Sequence, residues 1–216
     1  MNLENYYYYF KSAIPLKICD DILNYGKKHT ELTAVTGDKA SDFEKLTQEE
    51  KENVKDIRKS KVVWLNDEWI YKEIHPYINE ANKLAGWNFD WDWSENCQFT
   101  KYEPGQYYGW HCDSHSKPYS NINDTNYYGK IRKLSVTLSL NDGNEYEGGD
   151  LEFDFRNTGK DEWSKKNTTY HLKKCDEIKS KGSLVVFPSF VWHRVTPVTK
   201  GTRYSLVIWN LGYPFK

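Results

Sequence analysis

The chain has 216 residues, and its 30 Lys and Arg residues against 31 Asp and Glu residues leave a formal charge of -1. This length suits one folded domain, so residues 1–216 are predicted to form a single unit. The small net charge excludes a global basic field that would attract phosphate backbones or anionic lipid, and no nucleic-acid partner is predicted.

The four cysteines, Cys19, Cys97, Cys112 and Cys175, lie far apart and form no Cys-x-x-Cys pair. They are too sparse for a disulfide-stabilised scaffold, so free thiols in a reducing compartment are predicted. Residues 1–15 hold a run of tyrosines where a signal peptide needs aliphatic residues, and no later run reaches the length of a membrane span. We therefore expect a cytoplasmic protein with no membrane partner.

Two amphipathic helices are predicted in the first third of the chain. The first begins near Pro15, which the first turn tolerates, and carries apolar residues at spacings of three and four up to Gly26. The second is predicted to be capped by Asn66, kinked at Pro76 and stopped by Gly86.

The segment from Gly37 to Lys61 is rich in Asp, Glu, Lys and Ser and has few large apolar residues. Charge runs of this kind are typical of a solvated surface, so the segment is predicted to be an exposed helix or a mobile loop. With the two helices it makes residues 1–95 a helical support region.

The hydrophobic pattern changes to the two-residue period of β-strands from residue 96 onward. Residues 134–140 alternate strictly between apolar and polar side chains. Further runs of strand type are Leu151–Phe155, Ser183–Phe187, Val191–Thr196 and Thr202–Trp209. Short strands separated by polar loops predict an antiparallel sandwich or barrel of the jelly-roll type over residues 96–216.

A His-x-Asp pair, His111 and Asp113, lies in a stretch of strand type. Side chains two apart leave the same face of a strand, so both can grip one ion while Cys112 points away. Such a pair is common by chance and needs context. His193 supplies it, because an unpartnered imidazole is costly to bury in the apolar run 183–198.

Two His and one carboxylate from separate strands form the facial triad that leaves open positions on non-haem iron(II). For His193 alone, a core histidine satisfied by hydrogen bonds is the alternative. Arg203 shares a strand face with Ser205, Val207 and Trp209, and its guanidinium should meet an anion there. The arginine fork suits a carboxylate of fixed orientation better than lysine would.

These residues resemble the 2-oxoglutarate- and iron(II)-dependent dioxygenases, within them the prolyl 4-hydroxylase-like branch, from about Cys97 to Trp209. The matching motifs are Tyr102-x-x-Gly105-x-x-Tyr108-x-x-His111-x-Asp113, Glu147-Gly148-Gly149-Asp150-Leu151-x-Phe153, Phe187-Pro188 before His193-x-Val195-x-Pro197-Val198, and Gly201-x-Arg203 with Trp209.

The resemblance implies a fold that is mainly β with α, a double-stranded β-helix core with N-terminal helices packed against it. It also implies that His111, Asp113 and His193 bind Fe(II) and that Arg203 binds the distal carboxylate of the cosubstrate 2-oxoglutarate. Tyr102 matches a tyrosine that reaches the cosubstrate in similar enzymes, although packing is an equal alternative. O2 is the second cosubstrate, and ascorbate is a further cofactor candidate.

One departure from the family pattern lies on the central strand, where some similar enzymes place a tyrosine that helps to bind the distal carboxylate. This chain has Thr137, Leu138 and Ser139 there, so a hydroxyl of Thr137 or Ser139 is a candidate substitute. His115 is close to the triad in sequence, but its spacing favours a loop position over a ligand role.

The loop from Ser114 to Lys130 follows the ligand strand and carries three tyrosines suited to stacking contacts. With Trp110 and Trp192 it is a candidate lining for an aromatic groove that binds a proline-containing peptide, and the alternative is a solvated connection with ordinary aromatic packing. Together with the resemblance, this makes a protein or peptide hydroxylase, a prolyl 4-hydroxylase of the procollagen type, the leading hypothesis. The alternatives are a hydroxylase of a free amino acid or small metabolite, a non-catalytic metal-containing jelly-roll binding module, and a zinc hydrolase.

Overall fold

The computed structural model describes residues 5–34, 46–115, 117–155 and 171–215. Within these ranges the helices are α1 (Leu16–Lys27), α2 (Gln48–Ile57) and α3 (Glu68–Leu84). The strands are β1 (Tyr8–Phe10), β2 (Leu32–Thr33), β3 (Arg58–Lys59), β4 (Lys61–Leu65), β5 (Trp93–Ser94), β6 (Cys97–Tyr102), β7 (Tyr107–His111), β8 (Ile131–Ser139), β9 (Tyr146–Gly148), β10 (Leu151–Asp154), β11 (Leu172–Lys174), β12 (Leu184–Pro188), β13 (Trp192–Val195), β14 (Val198–Gly201) and β15 (Arg203–Gly212).

The larger of two main sheets follows the order β1-β12-β8-β15-β6-β4-β2, and β5 also pairs with β15. The smaller sheet follows the order β11-β10-β13-β7-β3, and β14 pairs with β9 separately. The pairings of both main sheets are antiparallel. These sheets form the predicted jelly-roll core, and the predicted fold class is confirmed.

The N-terminal region contributes strands as well as the helices of the predicted support region. Strand β4 pairs with β6 in the larger sheet, and β3 pairs with β7 in the smaller one. The charged segment from Gly37 to Lys61 accounts for α2, β3 and the start of β4, while its first part, up to residue 45, lies outside the described residues. A capping box at Thr47 begins α2, with reciprocal hydrogen bonds between Thr47 and Glu50.

The predicted helix near Pro15 is confirmed as α1, and Gly26 lies near its end. A Cβ atom at Gly26 would lie 2.6 Å from the Phe99 ring, so glycine permits close packing of α1 on the sheet. The cap predicted at Asn66 is wrong, because Asp67 is the N-cap residue of α3 and accepts a hydrogen bond from the Tyr25 hydroxyl. Gly86, at φ 76°, follows the end of α3 as predicted.

The main hydrophobic core lies between helices α1 and α3 and one face of the larger sheet. Ile22 and Ile74 of the helices belong to the same buried cluster as Leu138 and Ile208 of the central strands. Because side chains alternate along a strand, the other face of β8 and β15 turns toward the smaller sheet. Helix α3 continues through Pro76, and a kink there stays a prediction.

All four cysteines are free thiols. Among the described helices, none combines the length and the apolar character needed to cross a membrane.

Candidate active site

Three side chains converge where the smaller sheet meets the larger one. His111 ends β7, Asp113 follows it, and His193 lies directly opposite His111 on β13. The Nε2 atom of His111 lies 3.6 Å from Oδ1 of Asp113, and that of His193 lies 3.5 Å from Oδ2. Within the described residues this is the only group of three or more His, Cys, Asp or Glu side chains that could hold one metal ion.

Backbone carbonyls fix both imidazole rings. Nδ1 of His111 lies 2.8 Å from the carbonyl oxygen of Gly109, and Nδ1 of His193 lies 2.9 Å from that of Val191. An Nδ1–H that donates to a carbonyl leaves the Nε2 lone pair free for a metal. Both Nε2 atoms are turned toward Asp113.

The Asp113 carboxylate is buried and held by the large sheet. The hydroxyl of Ser135 on β8 donates a 2.7 Å hydrogen bond to its Oδ2, and the Ser189 hydroxyl lies 2.9 Å from that of Ser135. Burial acts to raise the pKa of the Asp113 carboxyl, but the facing His193 and His111 outweigh it and hold that pKa well below its usual range. The carboxylate is therefore ionised.

Burial, together with the neighbouring His111, lowers the pKa of His193 to about 4, against the opposing effect of Asp113. At neutral pH the His193 ring is therefore uncharged and can donate its lone pair. Two imidazoles and one carboxylate fit a facial triad with open positions, which is the donor set of non-haem Fe(II). A structural zinc site would supply four protein ligands.

Arg203 faces the same pocket from the start of β15. Its side chain is 2% exposed, its Nη1 donates to the Ser205 hydroxyl at 3.1 Å, and its guanidinium carbon lies 5.4 Å from the centre of the Tyr102 ring. Within the described part of the chain, no carboxylate lies within ion-pair distance of it. A buried cation in this state calls for an anionic ligand.

Gly149 makes room for this arginine, because a Cβ atom there would lie 2.9 Å from the Arg203 Cδ. Its φ of 58° also favours glycine. The second glycine of the Gly148-Gly149 motif therefore has a structural reason in the packing around Arg203.

The pocket brings together the five site residues predicted from sequence, and eight further residues line it. The full lining is Gln98, Tyr102, Tyr108, His111, Asp113, Thr137, Leu151, His193, Val195, Arg203, Ser205, Val207 and Trp209. Of the two hydroxyl residues proposed as helpers, Thr137 lines the pocket, whereas Ser139 donates to the Asn141 carbonyl and is not part of the lining. His115 lies in the loop after β7, as predicted, and does not belong to the metal-ligand cluster.

Trp110 and Trp192 do not line the pocket, so an aromatic groove built from them stays a prediction. Trp110 stacks instead with Arg194, whose guanidinium carbon lies 4.6 Å from its ring centre. Trp209 is the tryptophan that lines the pocket. The ring centre of the half-exposed Trp64 of β4 lies 6.2 Å from that of Trp209.

Sequence reasoning also missed an ion pair that connects the pocket with the loop after Asp113. Arg132 donates to both Glu95 oxygens at 2.6 Å, and its guanidinium carbon lies 4.0 Å from the Trp209 ring centre. The Tyr119 hydroxyl of the loop donates to Glu95 at 3.0 Å. The only signal for Arg132 in the sequence is its position just before the alternating residues 134–140.

A sequence profile of the 2OG-Fe(II) oxygenase superfamily matches residues 97–210 of the chain. A PKHD-type hydroxylase of Shewanella oneidensis is 35% identical over 113 residues, which are 51% of this chain and 40% of that protein. A PKHD-type hydroxylase of Alteromonas mediterranea is 34% identical over 112 residues, with 51% and 41% covered. The chain thus spans less than half the length of these curated relatives.

Solved structures share the fold over nearly the whole chain. The viral collagen prolyl hydroxylase of Paramecium bursaria Chlorella virus-1 has a TM-score of 0.63 and 17% identity, with 97% of each chain covered. A prolyl-4-hydroxylase of Pseudomonas putida has a TM-score of 0.63 and 19% identity, with 96% of this chain and 93% of that chain covered. A prolyl hydroxylase of Trichoplax adhaerens, solved with a peptide fragment of the hypoxia inducible factor oxygen degradation domain, has a TM-score of 0.60 and 18% identity, with 96% and 84% covered.

The jelly roll carries a His-Asp-His cluster that could hold a metal ion and, in the same pocket, a buried arginine that could bind an acidic ligand. The chain belongs to the 2OG-Fe(II) oxygenase superfamily. Members of this superfamily use Fe(II), 2-oxoglutarate and O2.

Proposed function

We propose that this chain is a 2-oxoglutarate-dependent dioxygenase that hydroxylates proline in a protein or peptide. The observation that carries the oxygenase assignment is Arg203, a buried guanidinium that faces the same pocket as His111, Asp113 and His193. The prolyl hydroxylases among the solved structures of the same fold support proline as the target.

In this proposal His111, Asp113 and His193 hold Fe(II), and Arg203 holds the distal carboxylate of 2-oxoglutarate. The bound metal supplies oxygen activation, in which 2-oxoglutarate and O2 yield succinate and CO2 while the substrate C–H becomes C–OH. The bidentate fork of Arg203 fixes the direction of the dicarboxylate along the pocket. The Thr137 hydroxyl can donate a further hydrogen bond, and the Tyr102 ring supports the guanidinium by packing.

The substrate end of the pocket is assigned to Trp209 and its surroundings. Trp209 is 5% exposed, and its Nε1–H has no hydrogen-bond partner among the described residues. An unsatisfied buried donor favours a ligand that brings an acceptor, such as a peptide carbonyl. Trp64, which is 45% exposed and lies beside Trp209, extends the aromatic surface toward solvent.

An extended proline segment suits this aromatic surface, because its conformation is already restricted and its binding needs little further ordering. Tyr119 of the loop after Asp113 and Arg132 both donate hydrogen bonds to Glu95, and Arg132 stacks on Trp209. These contacts hold the loop next to Trp209. That loop can therefore contribute to the choice of substrate. The cytoplasmic location and the use of ascorbate stay predictions.

The experiment that tests this function incubates the chain with Fe(II), 2-oxoglutarate and ascorbate and compares proline-rich peptides with free proline and other free amino acids. We expect succinate formation together with a mass gain of one oxygen atom on a peptide. Oxidation of a free amino acid with no peptide modified would transfer the proposal to a small-molecule hydroxylase. Absence of succinate with every substrate would contradict catalysis and favour a binding module.

A further inference from the structure

The end of the charged N-terminal segment is attached directly to the strand that carries His111. Arg58 and Lys59 of β3 pair with Tyr108 and Tyr107 of β7. A Cβ atom at Gly109 would lie 3.1 Å from the carbonyl oxygen of residue 57, so glycine permits this close approach. Because β3 lies at the edge of the smaller sheet, next to β7, it can act on the metal-binding strand.

Arg58 lies in this contact and is 4% exposed. Its guanidinium carbon lies 4.5 Å from the centre of the Tyr108 ring, and the Tyr108 ring stacks on the His111 ring with centres 3.5 Å apart and planes 11° apart. The three flat groups therefore form one continuous stack, Arg58 on Tyr108 on His111. A side chain in the middle of such a stack has little freedom to rotate.

The same guanidinium orients a polar side chain of the pocket wall. Arg58 Nε donates to the Ser60 hydroxyl at 2.9 Å, and Nη1 donates to Oε1 of Gln98 at 3.3 Å. Gln98 Nε2 donates in turn to the Thr100 hydroxyl at 2.9 Å. The Gln98 amide is thus held at both ends, which leaves its second N–H as a donor on the pocket wall.

The Arg58 guanidinium has hydrogen-bond donors that the described residues do not use. Its Nη2 is buried and has no hydrogen-bond partner among the described residues, and none of their carboxylates pairs with its charge. A buried cation kept in this state costs free energy, so a purely structural role accounts poorly for it. Uncompensated polar groups of this kind concentrate at functional sites.

We propose that Arg58 is a positioning residue of the metal site, which fixes His111 through the Tyr108 ring and the pocket wall through Gln98. This inference rests on the proposed function, because it assumes that His111 is a metal ligand. Arg58 would hold a metal-binding side chain in place, and the loss of such a contact typically lowers metal affinity or activity by roughly 10–100-fold. The charged segment predicted as solvated surface thereby becomes part of the active site at its C-terminal end.

The test is a titration of the metal-free protein with Mn(II), followed by electron paramagnetic resonance, in the wild type and in Arg58→Lys. Lysine keeps the charge and most of the stem but lacks the planar fork, so it cannot stack on Tyr108 and hold Ser60 and Gln98 together. We expect a roughly 10-fold weaker affinity for Mn(II) in Arg58→Lys. Lys59→Met, which removes a cation from the exposed neighbouring position, should bind Mn(II) like the wild type.

A double-mutant cycle with Tyr108→Leu separates positioning from general destabilisation. If Arg58 acts through Tyr108, the double variant should bind Mn(II) no more weakly than Tyr108→Leu alone. Wild-type affinity in Arg58→Lys, or fully independent losses in the double variant, would overturn the proposal.

His193→Ala distinguishes this failure from a failure of the metal site itself. Retained Mn(II) binding in His193→Ala would contradict the proposed function. Lost binding there with an unaffected Arg58→Lys would contradict the role of Arg58 alone.

Discussion

His193 lies directly opposite His111 in the antiparallel pair of β13 and β7, and both imidazoles turn Nε2 toward the carboxylate of Asp113. The strand pairing therefore brings together candidate metal ligands from two distant segments and sets their separation. The hydrogen bonds from the two Nδ1 atoms to carbonyls of neighbouring residues in their own segments complete the orientation. The site is thus preorganised for a metal by backbone geometry.

Removal of a ligand should abolish turnover before it damages the fold. In His111→Ala or Asp113→Ala we expect no succinate above background, because two remaining ligands hold the metal poorly. Circular dichroism should stay like that of the wild type, since the main core lies on the other face of the larger sheet. Full succinate production by either variant would refute the ligand assignment.

Arg203→Ala should raise the concentration of 2-oxoglutarate needed for half-maximal turnover. Truncation of one partner in a buried charge pair costs on the order of 2–5 kcal/mol. Arg203→Lys should restore part of this loss, because lysine supplies the charge without the bidentate fork. Unchanged dependence on 2-oxoglutarate in the alanine variant would place the dicarboxylate elsewhere.

Ser135→Ala should weaken metal binding although Ser135 is not a ligand. Its hydroxyl donates to the Asp113 carboxylate, and loss of such a support typically costs at least roughly 10-fold in metal affinity or activity. Ser139→Ala is the matched control, because that hydroxyl donates to the Asn141 carbonyl and does not line the pocket. Mn(II) titration measures both variants, and equal affinities would remove Ser135 from the site.

The sequence alone was sufficient for the jelly-roll class and for the alternating strand β8, and the five predicted site residues line one pocket. These predictions depend on local periodicity and on motifs, which strands preserve. The contacts of Arg58 and Arg132 could not be predicted from the sequence. Arg58 meets Gln98, and Arg132 meets Glu95, only after the strands have paired. Local spacing carries no signal for such contacts.

The positions of Trp110 and Trp192 outside the pocket have a related cause. Trp110 and Trp192 are adjacent in sequence to the metal ligands, but successive side chains of a strand point to opposite faces. Proximity in sequence therefore does not bring them to the pocket, whereas Trp209 reaches it from β15. The cap at Asn66 failed by one residue, which is the usual uncertainty of helix boundaries.

Trp209→Phe should weaken binding of the peptide substrate and leave binding of 2-oxoglutarate unchanged. The substitution keeps an aromatic ring beside Arg132 and removes the Nε1–H, the buried donor without a partner among the described residues. We expect a higher KM for a peptide substrate, because its acceptor loses a hydrogen bond in the pocket. The KM for 2-oxoglutarate should stay near the wild-type value. A raised cosubstrate KM with an unchanged peptide KM would assign the indole to the dicarboxylate end.

The most direct test of the central claim follows the oxygen atom. The chain is incubated with Fe(II), 2-oxoglutarate and an unmodified proline-containing peptide under heavy-isotope O2. Fragmentation mass spectrometry then locates the label in the peptide, and the succinate formed is quantified. The account predicts one heavy oxygen atom on a proline ring for each succinate formed. A labelled residue other than proline, or succinate formed without label in any peptide, would contradict prolyl hydroxylation by this chain.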